Sequence, residues 1–317
     1  MKLISALSFF SVAVSLVVAV PFVKRGGSEV EAGTKDMLIR HGNYAAATYC
    51  LKPRVMKWDC GSRCEGDVKV TSYFEDLLSG LAGYVGVNHK EKKIIVAFRG
   101  TSNIRNWIHD FDFLPLDFVY PDSEKNTIVH GGFLKAFNSV SEDVISGLKK
   151  AIDQLPTNPE DYELLVTGHS LGGAVAVLGA MEIKNHLLNP QSPRCITSPT
   201  KTINPSKIII HTFGQPRVGN QNFAKLVYKT LSNSTISNNL IRVTSKNDPV
   251  PHLPPDSFGF VHSPHEVYIH WLTGKTVSCN DGSSATISED QDCIRSYLPV
   301  DVISHMTYWD LRFGPWC

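Results

Sequence analysis

The sequence predicts an α/β fold in which a mostly parallel central sheet is covered by helices. Two observations predict this class: short apolar strands alternate with helical patterns along the chain, and the strands Ile94–Phe98 and Ile208–Ile210 are apolar on both faces. A strand that is apolar on both faces needs cover on both sides of its sheet, and strand–helix alternation is typical of parallel sheets wrapped by helices. We therefore expect one layered domain.

The alternation can be followed element by element. β-branched runs predict strands and helical periodicity predicts helices, in this order: strand 94–98, helix 134–150, strand 163–167, helix 171–188, strand 207–213, helix 220–231 and strand 240–244. The Ser-, Pro- and Asn-rich stretch 189–205 predicts a long loop, because the alternation resumes directly after it. The chain after Trp271 is rich in turn-forming residues and predicts no clear element.

The composition is that of a globular protein with a large core. Of the 317 residues, 42% are hydrophobic and 19% are charged, so the chain has enough apolar side chains to fill a core. The formal net charge is only +1 and no basic run is present, which argues against nucleic acid as a partner and against a polybasic membrane anchor. We expect a single domain over residues 26–317 and a monomeric protein.

The N-terminus has the pattern of a secretory signal. Residues 1–20 contain one Lys followed by an almost wholly apolar stretch that ends in small residues near Ala19. This pattern predicts a signal peptide, the alternative being a membrane anchor at the lower length limit for spanning a bilayer. The dibasic pair Lys24-Arg25 then predicts a short propeptide over residues 21–25. We expect a secreted, extracellular protein with no transmembrane segment in the mature chain.

All seven cysteines lie after this signal, which suits an oxidising compartment. Their spacing favours three disulfides, which would close two short loops and join the two ends of the mature chain: Cys60–Cys64, Cys279–Cys293 and Cys50–Cys317. Cys195 is left over. A zinc site is the alternative for the first pair, but no second pair or His accompanies it at metal-ligand spacing. The sequon at Asn233 predicts a glycosylated surface loop.

The sharpest signal for function is the segment Gly168-His169-Ser170-Leu171-Gly172-Gly173, which stands between an apolar strand and a helix. A serine at such a turn has its hydroxyl raised above the sheet, and the glycines avoid collisions with neighbouring backbone. The N–H of Leu171 would lie at a helix N-terminus, where it can stabilise a developing oxyanion. The segment predicts that Ser170 is the nucleophile of a hydrolase, the alternative being a plain Gly-rich turn.

A serine nucleophile needs a histidine base and a carboxylate that orients this base, and in this kind of fold the chain order is Ser, acid, His. Asp248 fits the acid, because it follows the strand 240–244 in a turn at the carboxyl edge of the sheet. The other carboxylates lack that placement: Asp256, Asp281, Asp290, Asp292 and Asp301.

Spacing alone does not select the base. Six histidines follow the helix that Ser170 begins: His211, His252, His262, His265, His270 and His305. His305 comes last and follows a predicted loop, whereas His262 and His265 lie closer to Asp248 along the chain. These three therefore remain alternatives on the residues alone.

Four segments together resemble the fungal class 3 triacylglycerol lipases, the Rhizomucor-type group that also includes secreted yeast lipases: Phe98–Ser102, Asn103–Ile108, Gly168–Ala174 and Asn247–Pro254. The resemblance runs from about Cys50 to Cys317, and the combined motifs are highly specific. It implies an α/β-hydrolase fold with a short helical lid. It also implies hydrolysis of fatty-acyl esters of glycerol at a lipid–water interface.

The resemblance further implies roles for individual residues. Matched position by position, the nucleophile, acid and base are Ser170, Asp248 and His305, and the two oxyanion-hole donors are Thr101 and Leu171. The base is selected because in this family it lies near the C-terminus, in a segment like 301–308. Thr101 stands where some members have Ser. The family's disulfides are similar to the pairing given above, again without a partner for Cys195.

The segment after Thr101 has the periodicity of an amphipathic helix. Ile104, Trp107, Ile108 and Phe111 recur at helical spacing, with polar residues on the other face. Such a stripe usually belongs to a helix packed on a core, but in the resembling lipases this segment is a lid that opens at an oil surface. Feruloyl esterases of the same fold have more polar lids, so the apolar stripe favours a lipase.

The predicted reaction proceeds through an acyl-enzyme and needs no cofactor and no metal. The expected partner is a lipid ester at an oil–water interface. Two kinds of alternative remain on the sequence alone. One is a feruloyl-type or other carboxylesterase, or a mono- or diacylglycerol lipase. The other is a catalytically inactive scaffold used for binding, which is disfavoured because all the expected catalytic groups are present.

Overall fold

The structure is a computed structural model, and the residues that it describes are 27–101, 103, 106, 114–156, 159–189, 196, 201–232, 238–282, 287–297, 301–314 and 317. Several sequence predictions lie outside these residues: the signal peptide 1–20, the propeptide 21–25, the lid residues Ile104, Trp107, Ile108 and Phe111, the unpaired Cys195 and the sequon residue Asn233.

The helices of the described chain are α1 (Ala32–Ala47), α2 (Lys52–Lys57), α3 (Gly131–Asp153), α4 (Leu171–Leu188), α5 (Gln221–Leu231) and α6 (Val302–Met306). The strands are β1 (Lys69–Glu75), β2 (Ala82–Asn88), β3 (Lys93–Phe98), β4 (Pro115–Asp117), β5 (Ile128–His130), β6 (Glu163–His169), β7 (Ile208–Phe213), β8 (Gly219–Asn220), β9 (Leu240–Ser245), β10 (Phe260–Val261), β11 (Glu266–Ile269), β12 (Thr276–Ser278), β13 (Thr307–Tyr308) and β14 (Leu311–Arg312).

Eight strands form the central sheet in the order β1-β2-β3-β6-β7-β9-β11-β12. The five strands from β3 to β11 run parallel to their neighbours, whereas β1, β2 and β12 are added antiparallel at the two edges. This arrangement confirms the predicted α/β class with a mostly parallel sheet. A smaller antiparallel sheet, β10-β8-β5-β4, and the hairpin β13-β14 complete the described strands.

Helices cover both faces of the central sheet. On one face α3, α4 and α5 pack against alternate side chains of the strands, such as Val96 and Val166, in the largest apolar core. On the other face α1 packs against the intervening side chains, such as Ile95 and Leu165. Because α4 lies between two helices and the sheet, it is buried on almost all sides and is apolar all round.

Most predicted elements are confirmed within a few residues. The helix over 171–188 has the predicted bounds, and the strand at 163 continues to His169. The helix predicted at 134–150 begins earlier, at Gly131, because the His130 side chain accepts a hydrogen bond from the Gly132 N–H at 3.1 Å and caps it. Similarly, the Asn220 side chain caps α5 by accepting from the Phe223 N–H at 3.1 Å.

The described cysteines form three disulfides, which are the pairs favoured by spacing: Cys50–Cys317, Cys60–Cys64 and Cys279–Cys293. Among the described residues, no helix combines the length and the apolar character needed to cross a membrane.

Candidate active site

Ser170 lies at the turn between β6 and α4. Its backbone has φ +60° and ψ −132°, a conformation that non-glycine residues adopt mainly where the surroundings enforce it. The turn is held on both sides, since the Ser170 N–H donates to the Phe213 carbonyl and the Gly173 N–H donates to the Ser170 carbonyl, each at 2.9 Å. The side chain is buried, and its Oγ has no hydrogen-bond partner among the described residues. The hydroxyl is therefore available for chemistry.

Two glycines allow this turn because neighbouring backbone comes very close. A Cβ on Gly168 would lie 2.2 Å from the Gly172 carbonyl oxygen, and a Cβ on Gly172 would lie 2.4 Å from the Phe98 carbonyl oxygen. Both distances are far below a van der Waals contact, so any side chain would push α4 away from the sheet. The glycines that the sequence places around Ser170 are thus required by packing.

Asp248 follows β9 in a tight turn at the carboxyl edge of the sheet. Its carboxylate is fully buried and accepts hydrogen bonds from the Val250 N–H at 2.8 Å, the Tyr308 hydroxyl at 2.6 Å and the His305 Nδ1 at 2.8 Å. Its backbone N–H donates to the Ser245 carbonyl at 3.0 Å. With these contacts on the carboxylate and the backbone, the side chain has a single orientation.

His305 belongs to α6, a short helix that Asp301 caps by accepting from the Ile303 N–H at 2.9 Å. A carboxylate only accepts hydrogen bonds, so the contact with Asp248 makes Nδ1 the donor and leaves Nε2 with a free lone pair. Nε2 is buried and, like the Ser170 Oγ, has no partner among the described residues. No hydrogen bond joins these two atoms here, and such catalytic contacts commonly tighten only when substrate binds.

His169 connects the nucleophile to the base. Its Nε2 donates to the backbone carbonyl of His305 at 2.8 Å, and its Nδ1 accepts from the Tyr49 hydroxyl at 2.7 Å. The ring stacks on Phe313 with centroids 4.0 Å apart and lies 4.4 Å from the His305 ring. Burial, together with the neighbouring His305, holds the pKa of His169 well below its ordinary value. The ring is therefore neutral, with one fixed tautomer, and it joins the His305 backbone to the residue that precedes Ser170.

The two residues expected to hold an oxyanion border the same serine. Thr101 follows Gly100, where an added Cβ would lie 2.9 Å from the Ser170 Cβ. Leu171 is the first residue of α4. The first N–H groups of a helix have no partner within it, and the helix dipole makes this end favourable for negative charge. Both backbone segments therefore lie next to Ser170.

The two alternative bases lie elsewhere. The His262 Nε2 donates to the Pro251 carbonyl, 2.8 Å away, in the loop that follows Asp248. His265 precedes β11, which is parallel to β9, so it lies at the opposite edge of the sheet from Asp248. There it stacks on Tyr228 with centroids 5.6 Å apart. The structure brings only His305 of these three to the carboxylate.

The alternative acids are engaged in other contacts. Asp281 and Glu266 both pair with the buried Arg242, and Asp256 pairs with Arg295 at 2.7 Å.

The described residues contain one cluster with metal-ligand distances, formed by Glu266, Cys279 and Cys293. The two cysteines form a disulfide and so offer no thiolate.

A buried ion pair supports the loop that carries the acid. Arg217 makes two contacts of 2.6 Å with Glu289, and its remaining nitrogen donates to the carbonyls of His252 and Pro254 at 2.7 and 2.8 Å. Burial opposes the ionisation of Glu289, but the hydrogen bonds from Arg217 and the positive charges nearby outweigh it and hold the pKa of this carboxyl below its ordinary value. The loop after Asp248 is thus fixed from within.

Sequence reasoning missed several of these supporting residues. Tyr308 and His169 stand inside the segments used to locate the site, so their position was a usable signal. Tyr49 and Arg217 gave no signal, because they reach the site only through the folding of distant parts of the chain.

Comparisons with known proteins agree with this geometry. The family model described as lipase (class 3) matches residues 95–258. A lipase of Rhizopus niveus is 34% identical over 297 residues, which cover 91% of this chain and 67% of that protein. The secreted mono- and diacylglycerol lipase A of Penicillium cyclopium is 30% identical over 288 residues, which cover 87% of this chain and 84% of that protein.

Solved structures give the same result. The triacylglyceride lipase of Rhizomucor miehei matches with a TM-score of 0.74 at 30% identity, covering 92% of this chain and 99% of that one. The sheet order, the serine at a strained strand-to-helix turn and these sequence matches all agree. The chain has the α/β-hydrolase fold and belongs to the class 3 lipase family.

Proposed function

We propose that this chain is a secreted triacylglycerol lipase that hydrolyses fatty-acyl esters of glycerol at a lipid–water interface. One observation carries the proposal: the buried Asp248 carboxylate lies 2.8 Å from the His305 Nδ1, while the His305 Nε2 and the Ser170 Oγ are both buried and have no hydrogen-bond partner among the described residues. This is the arrangement that turns a serine hydroxyl into a nucleophile. Membership in the class 3 lipases supports a carboxylic ester as the substrate.

In the proposed mechanism the His305 Nε2 accepts the hydroxyl proton of Ser170 as the Oγ attacks the ester carbonyl carbon. The resulting oxyanion is stabilised by the N–H groups of Thr101 and Leu171, and Asp248 orients the imidazolium and stabilises its charge. When the intermediate collapses, the acyl C–O bond breaks and His305 returns the proton to the leaving glycerol oxygen. An acyl-enzyme remains.

Water then removes the acyl group by the same route. The His305 Nε2 takes a proton from the water molecule, whose oxygen attacks the acyl carbonyl, and the Ser170 oxygen leaves with that proton. Fatty acid and free enzyme are the products. Every proton is returned and no electron is transferred, so the steps need no metal and no organic cofactor.

The decisive experiment compares Ser170→Ala with the parent enzyme on emulsified triolein. We expect turnover to fall by a factor on the order of 10⁶, with an unchanged circular dichroism spectrum and loss of covalent labelling by an organophosphonate. His305→Ala should have a comparable effect, whereas His265→Ala, at the opposite edge of the sheet, should keep its activity. Retained turnover in Ser170→Ala would end the proposal.

Partial glycerides are the second candidate substrates. The Penicillium cyclopium relative, of which this chain covers 84%, is a mono- and diacylglycerol lipase. Initial rates on triolein, diolein and monoolein at equal interfacial area distinguish the two candidates, and methyl ferulate tests a feruloyl-type esterase. We expect triolein to be hydrolysed at a rate at least comparable to diolein, and methyl ferulate not to be hydrolysed.

Secretion and a lid form the remainder of the proposal. Three disulfides suit an oxidising compartment, and the Penicillium cyclopium relative is named as secreted. The apolar stripe of Ile104, Trp107, Ile108 and Phe111 fits a lid that opens at an oil surface. A rate that rises steeply when a p-nitrophenyl ester passes its solubility limit would support such a lid, and a smooth saturation curve would argue against it.

A further inference from the structure

The turn between β1 and β2, residues 76–81, exposes two adjacent leucines to solvent. The side chains of Leu77 and Leu78 are 88% and 98% exposed, more than any other leucine among the described residues. Single exposed apolar side chains are common on protein surfaces, but two neighbouring ones at the tip of a turn form an apolar projection. Their exposure is unfavourable in water.

Three hydrogen bonds hold the backbone of this turn. The Asp76 carboxylate accepts from the Ser79 N–H at 2.7 Å, and the Asp76 N–H donates to the Leu81 carbonyl at 2.8 Å. From the neighbouring strand end, Arg99 donates to the Gly80 carbonyl at 2.8 Å. These hydrogen bonds bind the backbone on both sides of the tip and leave the two leucines pointing outward.

The turn lies at the same edge of the sheet as the nucleophile. β1 and β3 are both antiparallel to β2, which lies between them, so their carboxyl ends lie at the same edge of the sheet. The Arg99 N–H donates to the Ala82 carbonyl at 2.7 Å, which joins the turn directly to the backbone that leads to Thr101. Gly100, the next residue, is packed against Ser170.

Other exposed apolar side chains surround the site at this edge. Ile303 is 71% exposed on α6, two residues before His305, and Trp271 and Leu272 follow the carboxyl end of β11.

Leu188, by contrast, is 61% exposed at the far end of α4. This helix begins directly after Ser170 and is 18 residues long, so Leu188 lies about 27 Å from Ser170 along the helix axis.

We propose that the 76–81 turn is a fixed anchor that inserts Leu77 and Leu78 into the surface of a neutral lipid droplet beside the catalytic serine. The occupant is an uncharged acyl surface, because the charges around the turn balance: Glu75 faces Lys52 at 3.8 Å, and the Asp76 carboxylate and the Arg99 guanidinium both bind the backbone of the turn. The anchor is independent of lid movement. It rests on the proposed function for the identity of the lipid.

The test measures binding and chemistry separately. In a Ser170→Ala background, which prevents hydrolysis, the double variant Leu77→Ser/Leu78→Ser should bind triolein emulsion at least tenfold more weakly than its parent in a sedimentation assay. Leu188→Ser, which removes an exposed leucine far from the site, should bind like the parent. Leu77→Met/Leu78→Met keeps apolar side chains and should restore binding to within about threefold.

In the active enzyme, the Leu77→Ser/Leu78→Ser variant should hydrolyse dissolved p-nitrophenyl butyrate within twofold of the parent rate, while its rate on emulsified triolein falls at least tenfold. Equal binding of parent and variant to the emulsion would overturn the anchor, even with ester hydrolysis intact. A parent that sediments as a dimer while the variant is a monomer would also overturn it, because the turn would then contact a second copy. An inactive parent on every ester would instead refute the proposed function.

Discussion

Three donors converge on the carboxylate of Asp248, and one of them, the Tyr308 hydroxyl, belongs to a side chain with no part in bond making. Tyr308→Phe removes this 2.6 Å hydrogen bond and keeps the buried ring. A hydrogen bond to a charged group contributes about 1.5 to 3 kcal/mol, so we expect the free energy of unfolding to fall by about that amount. We expect kcat on p-nitrophenyl butyrate to fall about tenfold, because the carboxylate is less well fixed.

The comparison variant for this prediction is Asp248→Asn. It keeps the shape of the side chain but favours the wrong tautomer of His305, and a loss of about 10⁴ in kcat is expected. Tyr308→Phe should therefore lie far closer to the parent than to Asp248→Asn. A Tyr308→Phe enzyme as inactive as Asp248→Asn would mean that the hydroxyl takes part in the reaction itself.

His169 is a positioning residue for the base His305. His169→Gln removes the contacts with the Tyr49 hydroxyl and the His305 carbonyl, each below 3 Å, and it also removes the stack on Phe313. We expect kcat on dissolved p-nitrophenyl butyrate to fall at least tenfold while KM changes less than threefold, because the base moves but the acyl site does not.

Tyr49→Phe is the matched control for His169, since it removes only the outer hydrogen bond of this chain. It should reduce kcat by less than the His169 variant and leave the direct contact between His169 and His305 intact. Equal losses in both variants would place the effect on the stability of the core and not on the position of the base.

Helix α1 is joined to strands β3 and β7 of the central sheet by a chain of hydrogen bonds. The Lys93 ammonium lies 3.1 Å from the His41 Nε2, the His41 and His211 Nδ1 atoms are 2.7 Å apart, and the His211 Nε2 lies 2.7 Å from the Asn238 carbonyl. An ammonium only donates and a carbonyl only accepts, so the donors run in one direction: Lys93 to His41, His41 to His211, and His211 to Asn238. Both rings must be neutral for this chain to exist.

Because His41 and His211 must both be neutral, we expect acid to weaken the fold. Burial lowers the pKa of His211 to about 4, and burial with the nearby His211 and Lys93 holds the pKa of His41 well below its ordinary value. Both pKa values are lower in the folded chain, so the unfolded chain binds more protons as pH falls from about 6.5 to about 4. The stabilising contribution of the two neutral rings is fully present above this pH window. It is lost as the pH falls from about 6.5 to about 4, by on the order of 3 kcal/mol for His211 alone.

Urea unfolding between pH 7.5 and pH 4.5 measures this effect. The double variant His41→Leu/His211→Leu should show a shallower loss of unfolding free energy with acid than the parent, although other titrating groups still contribute a slope. Arg40 and Glu91, which pair at the surface at 3.0 Å, are unchanged in both proteins. Parallel pH profiles for parent and variant would contradict the assignment of neutral rings.

How far the elements could be predicted from the sequence depends on how local their signal is. Some elements are buried by neighbours on both faces and are therefore apolar on almost all sides, namely β3, β6, β7 and α4. This apolar run can be recognised within the sequence of each element alone. The short strands of the small sheet, such as Gly219–Asn220, are only two or three residues long. Their pairing depends on partners far along the chain, so no local sequence pattern predicts these strands.

The site follows the same division. Ser170 could be identified from a contiguous motif, and Asp248 from its place after a strand. Both signals lie within a short stretch of sequence. The histidine could not be chosen from spacing, because His262 lies nearer in sequence but its Nε2 binds the Pro251 carbonyl and not the Asp248 carboxylate. The parallel order of β9 and β11 places His265 at the far edge of the sheet, a fact that exists only in three dimensions.

At the scale of the whole molecule, one covalent bond joins the chain just after α1 to the last described residue. Cys50 follows α1, and Cys317 is the last residue, 267 positions later. The other two disulfides span 14 and 4 positions. If a disulfide stabilises chiefly by restricting the unfolded chain, its contribution grows with the length of the loop that it closes.

The three disulfides therefore predict an order of stability losses. Loop-closure entropy gives about 6 kcal/mol for Cys50–Cys317, about 3 for Cys279–Cys293 and about 2 for Cys60–Cys64. Replacing each pair by two serines and measuring urea unfolding at one pH should reproduce this order. Alanine pairs are the control, because Cys293 is fully buried and serine adds a polar group there. A largest loss at Cys279–Cys293 in both series would show that packing around this bond, and not chain entropy, determines its contribution.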